Sequence, residues 1–360
     1  MSDNLELPFR PTDRSLLAGA INLIEAPIWR LDPRAVRPEV SPGIIRKSDY
    51  ATEVTWRRNT KTGEVITYKV IIRAHQDYGY PTMLSCRIML ALVQEAGRRQ
   101  YASRRLDVTM AHLCRWLEMP ASGKAYKLIA DALLALEGAD FEFHSSWFEM
   151  KKGSRVGSIF PGLRTVKLVD KIALAPVSRH RSSAQEEDLG LSASFIDLGE
   201  ELFEHIKNGG AIPADLSYMN KLGTPVSQRF YTYMEKRSYG KDSYHERLVK
   251  LAERMPLEKR APSAIRTSLE PACKRLMTRG PDGKRLLSGY KFFEPGDLDP
   301  LGRVVREHTL WVWFERGPGA GAVARLKARR DAAAQGLPLP DLFETDVGGD
   351  SDGGGEGDEE

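Results

Sequence analysis

Pro225-Val-Ser-Gln-Arg-Phe-Tyr-Thr-Tyr-Met-Glu-Lys-Arg-Ser-Tyr239 begins the most clearly patterned segment of this 360-residue chain, which continues to Pro295. Proline is favoured at the first position of a helix because its missing N–H would have no intrahelical partner there. The apolar side chains that recur at helical spacing are Val226, Phe230, Tyr233 and Met234. Since such spacing places them on one face, the stretch predicts an amphipathic helix that starts at Pro225.

Two more helices and a β-hairpin are predicted downstream. Apolar spacing predicts a second helix over Tyr244–Met255, and a Pro-Ser start signal predicts a third over Pro262–Thr278. The turn Gly280-Pro-Asp-Gly283 then leads into a strand, Leu287–Phe293. Three helices followed by a hairpin is the order of a winged helix, a variant of the helix-turn-helix that reads DNA.

Positive charge is concentrated along this segment. Residues 226–291 hold 16 Lys/Arg and 7 Asp/Glu, a net charge of +9. Residues 341–360 are the opposite, with nine acidic and no basic residues, so residues 1–340 carry +13 although the whole chain carries +4. A basic body suits a nucleic-acid partner. The Gly-rich acidic tail is expected to be disordered, and either solubilises the protein or competes with DNA for its basic faces.

Composition restricts the protein class. The chain has room for two ordinary domains, and it contains neither a run of about 18 apolar residues nor an N-terminal signal pattern. Its three cysteines, Cys86, Cys114 and Cys273, show no CxxC spacing. We therefore expect a cytoplasmic protein without a membrane span, a disulfide, a bound metal or another cofactor.

The first half of the chain is predicted to repeat the order seen in the second half. Alternating residues and a Gly-containing turn predict a β-hairpin over residues 53–72. Three helices are then predicted near 84–98, 109–117 and 122–136, and strands follow through Leu174. The predicted fold class is α+β, mainly helical, with two tandem winged-helix domains and a disordered acidic C-terminal tail.

The predicted boundaries follow changes in composition. They are an N-terminal arm over 1–50, a first winged-helix domain over 51–178, a linker over 179–191, a second winged-helix domain over 192–316, a basic helix over 317–340 and the tail over 341–360. The second domain would begin with a short strand near Ser192–Leu198 that feeds a helix over Glu200–Lys207. The polar stretch between the domains is either a linker or the tip of a wing.

Four motifs resemble the plasmid replication initiator protein A family over roughly residues 25–315. They are Gly79-Tyr-Pro-Thr, Leu117-Glu-Met-Pro-Ala-Ser-Gly-Lys-Ala-Tyr-Lys, Pro225-Val-Ser-Gln-Arg-Phe-Tyr and Pro262-Ser-Ala-Ile-Arg-Thr-Ser-Leu-Glu-Pro-Ala. The resemblance implies an initiator that binds repeated sites at a plasmid origin through two winged-helix domains. It also implies binding to its own promoter as a homodimer and recruitment of host replication proteins.

The third helix of the second domain is the predicted DNA-reading element. Its inward stripe would be Ile265, Leu269, Cys273 and Leu276. On the opposite face, the base-reading candidates are Ser263, Arg266, Thr267 and Glu270, with Arg266 as the main reader because arginine can bond bidentately to guanine. The phosphate-binding candidates are Lys259, Arg260, Lys274, Arg275, Arg279, Lys284, Arg285 and Lys291.

The first domain carries a weaker set of candidates. They are Ser122, Lys124 and Lys127 at the start of its third helix, and Lys151, Lys152 and Arg155 in its hairpin. Residues 151–185 hold eight Lys/Arg and one Asp, which favours contact with the DNA backbone. The same domain could equally form a dimer interface.

The sequence lacks the motifs of the enzymatic alternatives. No two of its seven histidines are two residues apart, as a rolling-circle nicking site would need, and no GxxxxGK[ST] phosphate loop occurs. A nicking initiator would still have candidate nucleophiles in Tyr231, Tyr233 and Tyr239.

Two non-enzymatic interpretations compete: a replication initiator, and a winged-helix transcriptional regulator or plasmid partition factor without a role at an origin.

Overall fold

A computed structural model describes most of the chain between residues 51 and 316. The described residues are 5–6, 18–20, 28–31, 51–59, 65–75, 77–150, 156–160, 162–174, 194–208, 210–237, 243–255, 257, 261–278, 286–298, 302, 304–306 and 310–316. The predicted basic helix over 317–340 and the acidic tail over 341–360 lie outside them. Most of the predicted N-terminal arm does too.

The described residues form helices and short strands in an α+β arrangement, as predicted. The helices are α1 (Met83–Arg98), α2 (Met110–Trp116), α3 (Gly123–Glu137), α4 (Glu200–Lys207), α5 (Leu216–Lys221), α6 (Pro225–Arg237), α7 (Leu248–Arg254) and α8 (Pro262–Met277). The strands are β1 (Leu5–Glu6), β2 (Ala18–Ala20), β3 (Ala51–Asn59), β4 (Val65–Arg73), β5 (Arg105–Asp107), β6 (Asp140–His144), β7 (Phe148–Met150), β8 (Val156–Ile159), β9 (Leu163–Lys167), β10 (Val169–Ala173), β11 (Phe195–Leu198), β12 (Ala211–Pro213), β13 (Ser243–Arg247), β14 (Leu287–Phe292) and β15 (Trp311–Arg316).

All pairings between these strands are antiparallel. The sheets have the orders β1-β8-β7, β10-β11-β5, β12-β2, β13-β15-β14 and β3-β4-β6-β9. In the described part of the chain no helix is both long enough and apolar enough to cross a membrane.

A first unit consists of α1, β5, α2, α3, β10 and β11. Its strands form the sheet β10-β11-β5, so the last strand in sequence lies in the middle. In β11, Phe195 to Asp197 pair with Asp107 to Arg105, and Phe195 to Leu198 pair with Ala173 to Val169. The predicted boundary between residues 191 and 192 therefore lies between two strands that pair with each other. Residues 175–193, which join those strands, are not described.

A second unit consists of α6, β13, α7, α8, β14 and β15, with the sheet order β13-β15-β14. The prediction of one helix over Tyr244–Met255 is wrong at its start, because residues 243–247 form β13 and only Leu248–Arg254 are helical. The reason is tertiary: Tyr244 pairs with Phe314 and Glu246 with Val312. Pairing with a strand almost seventy residues away thus overrides the local helical spacing.

The two units resemble each other in the order of their elements. The second unit runs helix, strand, helix, helix, strand, strand, and the first has the same order except that β6, β7, β8 and β9 lie between its third helix and its last two strands. In each sheet the final strand lies between the other two. In each, the apolar side of the third helix is buried: Ala125, Ile129 and Leu133 in α3, and Ile265, Leu269 and Cys273 in α8. The two sheets therefore share one topology, with the last strand of each unit in the middle.

Polar contacts join the two units through α5, a helix that the sequence did not predict. Arg87 of α1 donates from Nε to Asn220 Oδ1 (2.7 Å) and from Nη2 to the carbonyl of Leu117 (2.6 Å). Asn220 in turn donates to the carbonyl of Trp116 (3.0 Å). Burial of Arg87 lowers its pKa, so the charge is stabilised by these acceptors rather than by water. The junction therefore holds the end of α2 against α5, next to α6.

We expect His205 on α4 to make the stability of the fold pH-dependent. Its side chain is buried, its ring centroid lies 5.2 Å from that of Trp147, and a Cβ on Gly210 would come within 2.2 Å of it. Burial lowers the pKa of His205 to about 4 from its ordinary 6.5. The unfolded chain takes up this proton near pH 6.5, whereas the folded chain does so only near pH 4. The free energy of unfolding is therefore expected to fall as the pH drops through that window.

Urea unfolding at pH 7, 6 and 5 measures this loss, and His205→Met provides the comparison. The variant should lose less stability between pH 7 and pH 5 than the unaltered protein, whatever its absolute stability. Parallel pH profiles for the two proteins would contradict the assignment.

Candidate nucleic-acid interface

Helix α8 is amphipathic, with one side in the core and one side exposed. The buried residues are Ile265, Leu269, Ala272, Cys273 and Leu276, which include the whole predicted inward stripe. They pack against α6, α7 and β14. The opposite side carries exposed Ser263, Arg266, Thr267 and Lys274 with half-buried Glu270. All four predicted base readers therefore lie on one side of one helix, together with one predicted phosphate contact.

Arg266 has three neighbours around its guanidinium. Nη1 donates to Glu294 Oε1, and Nε lies 3.9 Å from Glu270 Oε2. The guanidinium carbon lies 5.3 Å from the ring centroid of Phe292, within cation–π range. The side chain nevertheless keeps 44% of its surface exposed. Arg266 is thus held at the surface by contacts from α8 itself and from the end of β14.

The remaining base-reading candidates have local partners. Glu270 Oε1 lies 3.1 Å from Lys274 Nζ, and this hydrogen bond raises the pKa of Lys274. The hydroxyl of Thr267 donates to the carbonyl of Ser263 at 2.9 Å, so its oxygen keeps acceptor capacity toward solvent. Glu270 therefore belongs to a chain of charges, Arg266–Glu270–Lys274, along the exposed side of α8.

Two predicted phosphate contacts differ in what they already bind. Lys291 on β14 keeps 57% of its surface, lies 3.4 Å from Asp297 Oδ2 and has its ammonium 4.8 Å from the Phe293 ring centroid. Arg275 donates from Nη1 to the carbonyl of Leu222 at 2.6 Å, next to Gly223, whose φ of +71° favours glycine. Arg275 therefore also attaches α8 to the turn between α5 and α6.

Several predicted contacts lie outside the described residues. In the second unit they are Lys259, Arg260, Arg279, Lys284 and Arg285, and in the first unit Lys151, Lys152 and Arg155.

In the first unit, α3 presents a smaller exposed surface. Ser122 is the N-cap of this helix, and its hydroxyl accepts from the backbone N–H of Ala125 at 3.2 Å. Lys124 and Lys127 are exposed, and so is Leu128, with 45% of its surface. Ser122 thus shapes the start of the helix, and two cations flank an exposed apolar side chain.

The sequence count overstates the positive surface of the second unit. Arg229 on α6 is fully buried, and Arg254 at the end of α7 is 5% exposed. Arg229 Nη2 donates to the carbonyl of Arg254 at 3.0 Å, and burial lowers the pKa of each to about 10. Both residues belong to the +9 of residues 226–291. Because both are buried, neither is placed to contact a DNA phosphate directly.

Two of the three candidate nucleophilic tyrosines, and the cysteines Cys86 and Cys273, are buried. Tyr231 and Tyr233 are buried, and the Tyr231 hydroxyl accepts from the backbone N–H of Asp215 at 2.6 Å. Tyr239 lies outside the described residues. Burial raises the pKa of Cys86 to about 12 and also raises that of Cys273. Within the described part of the chain, no group of three or more His, Cys, Asp or Glu side chains could hold a metal ion.

Sequence reasoning missed Glu294 and Phe292 as neighbours of Arg266. Glu294 lies 28 residues from Arg266, so no helical or strand period relates the two. The local signal was a Glu-Pro-Gly-Asp turn, residues 294–297, which predicts a change of direction and says nothing about a partner.

Solved structures of domains 2 and 3 of RctB have some likeness to this chain. The selenomethionine derivative of those domains aligns with a TM-score of 0.49 and 13% identity, over 82% of this chain and 97% of that one. A second structure of RctB domains 2–3 aligns with a TM-score of 0.42 and 14% identity, over 79% and 95% of the two chains. No protein-family model and no curated protein matches the chain.

Proposed function

We propose that this chain is a non-enzymatic replication initiator that binds repeated duplex sites at a plasmid origin through two winged-helix units. The observation that carries the proposal is the exposed side of α8, where Ser263, Arg266, Thr267 and Lys274 lie together on a helix whose other side is buried. The family resemblance of the motifs supports the same function. In this proposal the protein acts in the cytoplasm without a cofactor, as a homodimer at its promoter, and recruits host replication proteins.

The geometry suits a helix that enters the major groove. An α-helix fits that groove, where arginine can bond bidentately to guanine and Ser or Thr can donate or accept. The order helix, strand, helix, helix, strand, strand in the second unit supports the winged-helix assignment. The side chains of α8 would supply specificity, while Lys274 and Lys291 would neutralise phosphates and supply affinity that does not depend on sequence.

The first unit would bind the DNA backbone with lower specificity. Exposed Lys124 and Lys127 on α3 support this role, and α3 corresponds in order to α8. The contacts of Arg87 and Asn220 would keep the two units in a defined relation, so that both could engage one duplex. Each unit alone is then expected to bind more weakly than the two together.

Fluorescence anisotropy tests the proposed binding. The full chain is titrated onto the repeat-containing DNA that flanks its gene and onto random duplex of equal length, across a salt series. We expect tight binding to the repeats and weaker, steeply salt-dependent binding to random DNA. Equal, weak binding to both would overturn the proposal. A plasmid-maintenance assay then separates an initiator from a transcriptional regulator or partition factor, since only an initiator is required for replication from the origin.

Lys291→Ala is expected to weaken binding to repeats and random duplex by the same factor. The side chain is exposed on β14 and would contact phosphate, which is the same in every sequence. The slope of log affinity against log salt should become shallower by about 1. Anisotropy across the salt series measures both effects, and a loss confined to the repeats would show that Lys291 contacts bases instead.

A further inference from the structure

The turn that follows β14 is held by hydrogen bonds between its own residues and Val305. Its backbone bonds run from Gly296 N to Val305 O (2.9 Å), from Asp297 N to Glu294 O (3.1 Å) and from Val305 N to Asp297 O (2.7 Å). Asp297 Oδ2 also accepts from the backbone N–H of Glu294 at 3.1 Å, which, with Lys291, lowers the pKa of Asp297. The backbone of Glu294 is therefore held at both its N–H and its carbonyl by Asp297.

From this fixed turn, the Glu294 side chain reaches across to α8. Its Oε1 accepts a hydrogen bond from Arg266 Nη1, while the Phe292 ring lies 5.3 Å from the guanidinium carbon. A hydrogen bond between two charged groups is stronger than a neutral one and is directional. An arginine side chain with four rotatable bonds is thereby restricted at its tip by an acceptor and an aromatic face.

Glu294 binds only one of the guanidinium nitrogens of Arg266, and the choice of nitrogen determines which N–H donors remain for another partner. Binding through Nη1 leaves the edge formed by Nε and Nη2. Two other arginines of this protein use that edge for bidentate contacts: Arg73 to Glu142 (2.8 and 3.3 Å) and Arg105 to Asp197 (2.9 and 3.0 Å). Two parallel N–H donors on this edge also match the O6 and N7 acceptors of guanine.

Glu270 lies beside this edge but does not hydrogen-bond to it. Its Oε2 lies 3.9 Å from Arg266 Nε, beyond hydrogen-bonding distance, whereas its Oε1 lies 3.1 Å from Lys274 Nζ. Because Lys274 holds this carboxylate, Nε and Nη2 of Arg266 can approach a base without first breaking a hydrogen bond to Glu270.

We propose that Glu294 is a positioning residue for base recognition. It binds Nη1 of Arg266 so that the Nε–Nη2 edge is presented to a guanine, and it determines specificity without contacting DNA itself. This inference rests on the proposed function, in which α8 enters the major groove. The sequence preference of α8 then depends on a residue of the turn after β14 as well as on the helix.

Glu294→Gln tests the proposal because it keeps the shape of the side chain and removes its charge. Loss of an exposed ion pair of this kind is expected to lower affinity for the repeats about 2- to 5-fold. Affinity for random duplex should stay the same or rise, since a negative charge near the phosphates is gone. Glu315→Gln is the matched control, because Glu315 is an exposed side chain on β15 of the same sheet. It should change the two affinities by equal factors.

Several results would overturn the proposal. If Glu294→Gln raises both affinities equally, the carboxylate acts only through its charge. If it raises affinity for the repeats more than for random duplex, Glu294 competes with DNA for Arg266 and does not position it. In an Arg266→Ala background, Glu294→Gln should no longer lower affinity for the repeats, and a persisting loss would place its effect elsewhere.

Modified bases provide a readout that a purely structural role would not change. Replacing guanines of the repeat with 7-deazaguanine removes the N7 acceptor, and the affinity lost at the contacted position should be smaller for Glu294→Gln than for the unaltered protein. An equal loss for both proteins counts against the proposal.

If the unaltered protein shows no preference for the repeats, the proposed function fails, and the role of Glu294 fails with it. If that preference exists and survives Glu294→Gln unchanged, only the role of Glu294 fails.

Discussion

Arg266→Ala is expected to lower affinity for the repeats by about 1–3 kcal/mol, or roughly 5- to 150-fold, the range for one bidentate contact to a base. Affinity for random duplex should change much less. The reason is that Arg266 lies on the exposed side of α8, and Glu294 binds its Nη1 rather than its Nε–Nη2 edge. Its removal also frees Glu294, an acidic side chain that would then lie unpaired near the DNA.

Anisotropy with repeat and random duplexes at one salt concentration measures this loss of discrimination. Arg98→Ala is the matched control, because Arg98 is exposed at the end of α1 and pairs with Glu95 at 3.4 Å. The control should leave the ratio of the two affinities unchanged. Equal losses on both duplexes for Arg266→Ala would identify Arg266 as a phosphate contact and would contradict its assignment as a base reader.

Phe314→Ala is expected to lower the free energy of unfolding by about 3–5 kcal/mol, the usual cost of truncating a buried phenylalanine. Phe314 is fully buried on β15, the middle strand of the sheet β13-β15-β14. Its ring makes an edge-to-face contact with Phe230 on α6, with 5.1 Å between the ring centroids. The substitution therefore leaves a cavity between the sheet and the first helix of the second unit.

Urea unfolding followed by circular dichroism measures this change. Glu315→Ala, the next residue on the same strand, is exposed and should change the stability by less than about 0.5 kcal/mol. If Phe314→Ala were as mild as this control, the described packing of β15 against α6 would be wrong. Thermal unfolding should show the same ranking of the three proteins.

Helical spacing carried enough information to predict most of the helices. The start of α6 at Pro225 and the buried stripe of α8 follow from periodicity, because both depend on residues within a few turns of one another. The exposed side of α8 follows from the same pattern. The prediction of an α+β protein with a repeated order of elements also rested on such local signals.

Elements that depend on distant partners were predicted less well. Residues 243–247 have an amphipathic helical pattern but form β13, because β15 offers them a strand to pair with. The short strand β11 was predicted near Ser192–Leu198 and is observed at Phe195–Leu198, but local signals did not predict its pairing with β5 and β10. In both cases the deciding partner lies beyond the reach of any local pattern.

The amino-acid sequence by itself determined which faces of the helices are apolar, and therefore which side of α8 remains for a ligand. That information is local because neighbouring turns of one helix define its faces. Only the tertiary structure decided that Arg229 and Arg254 are interior residues, and that Glu294 meets Arg266 across 28 residues. Burial and ion pairing depend on which distant segments approach, and no spacing along the chain encodes that approach.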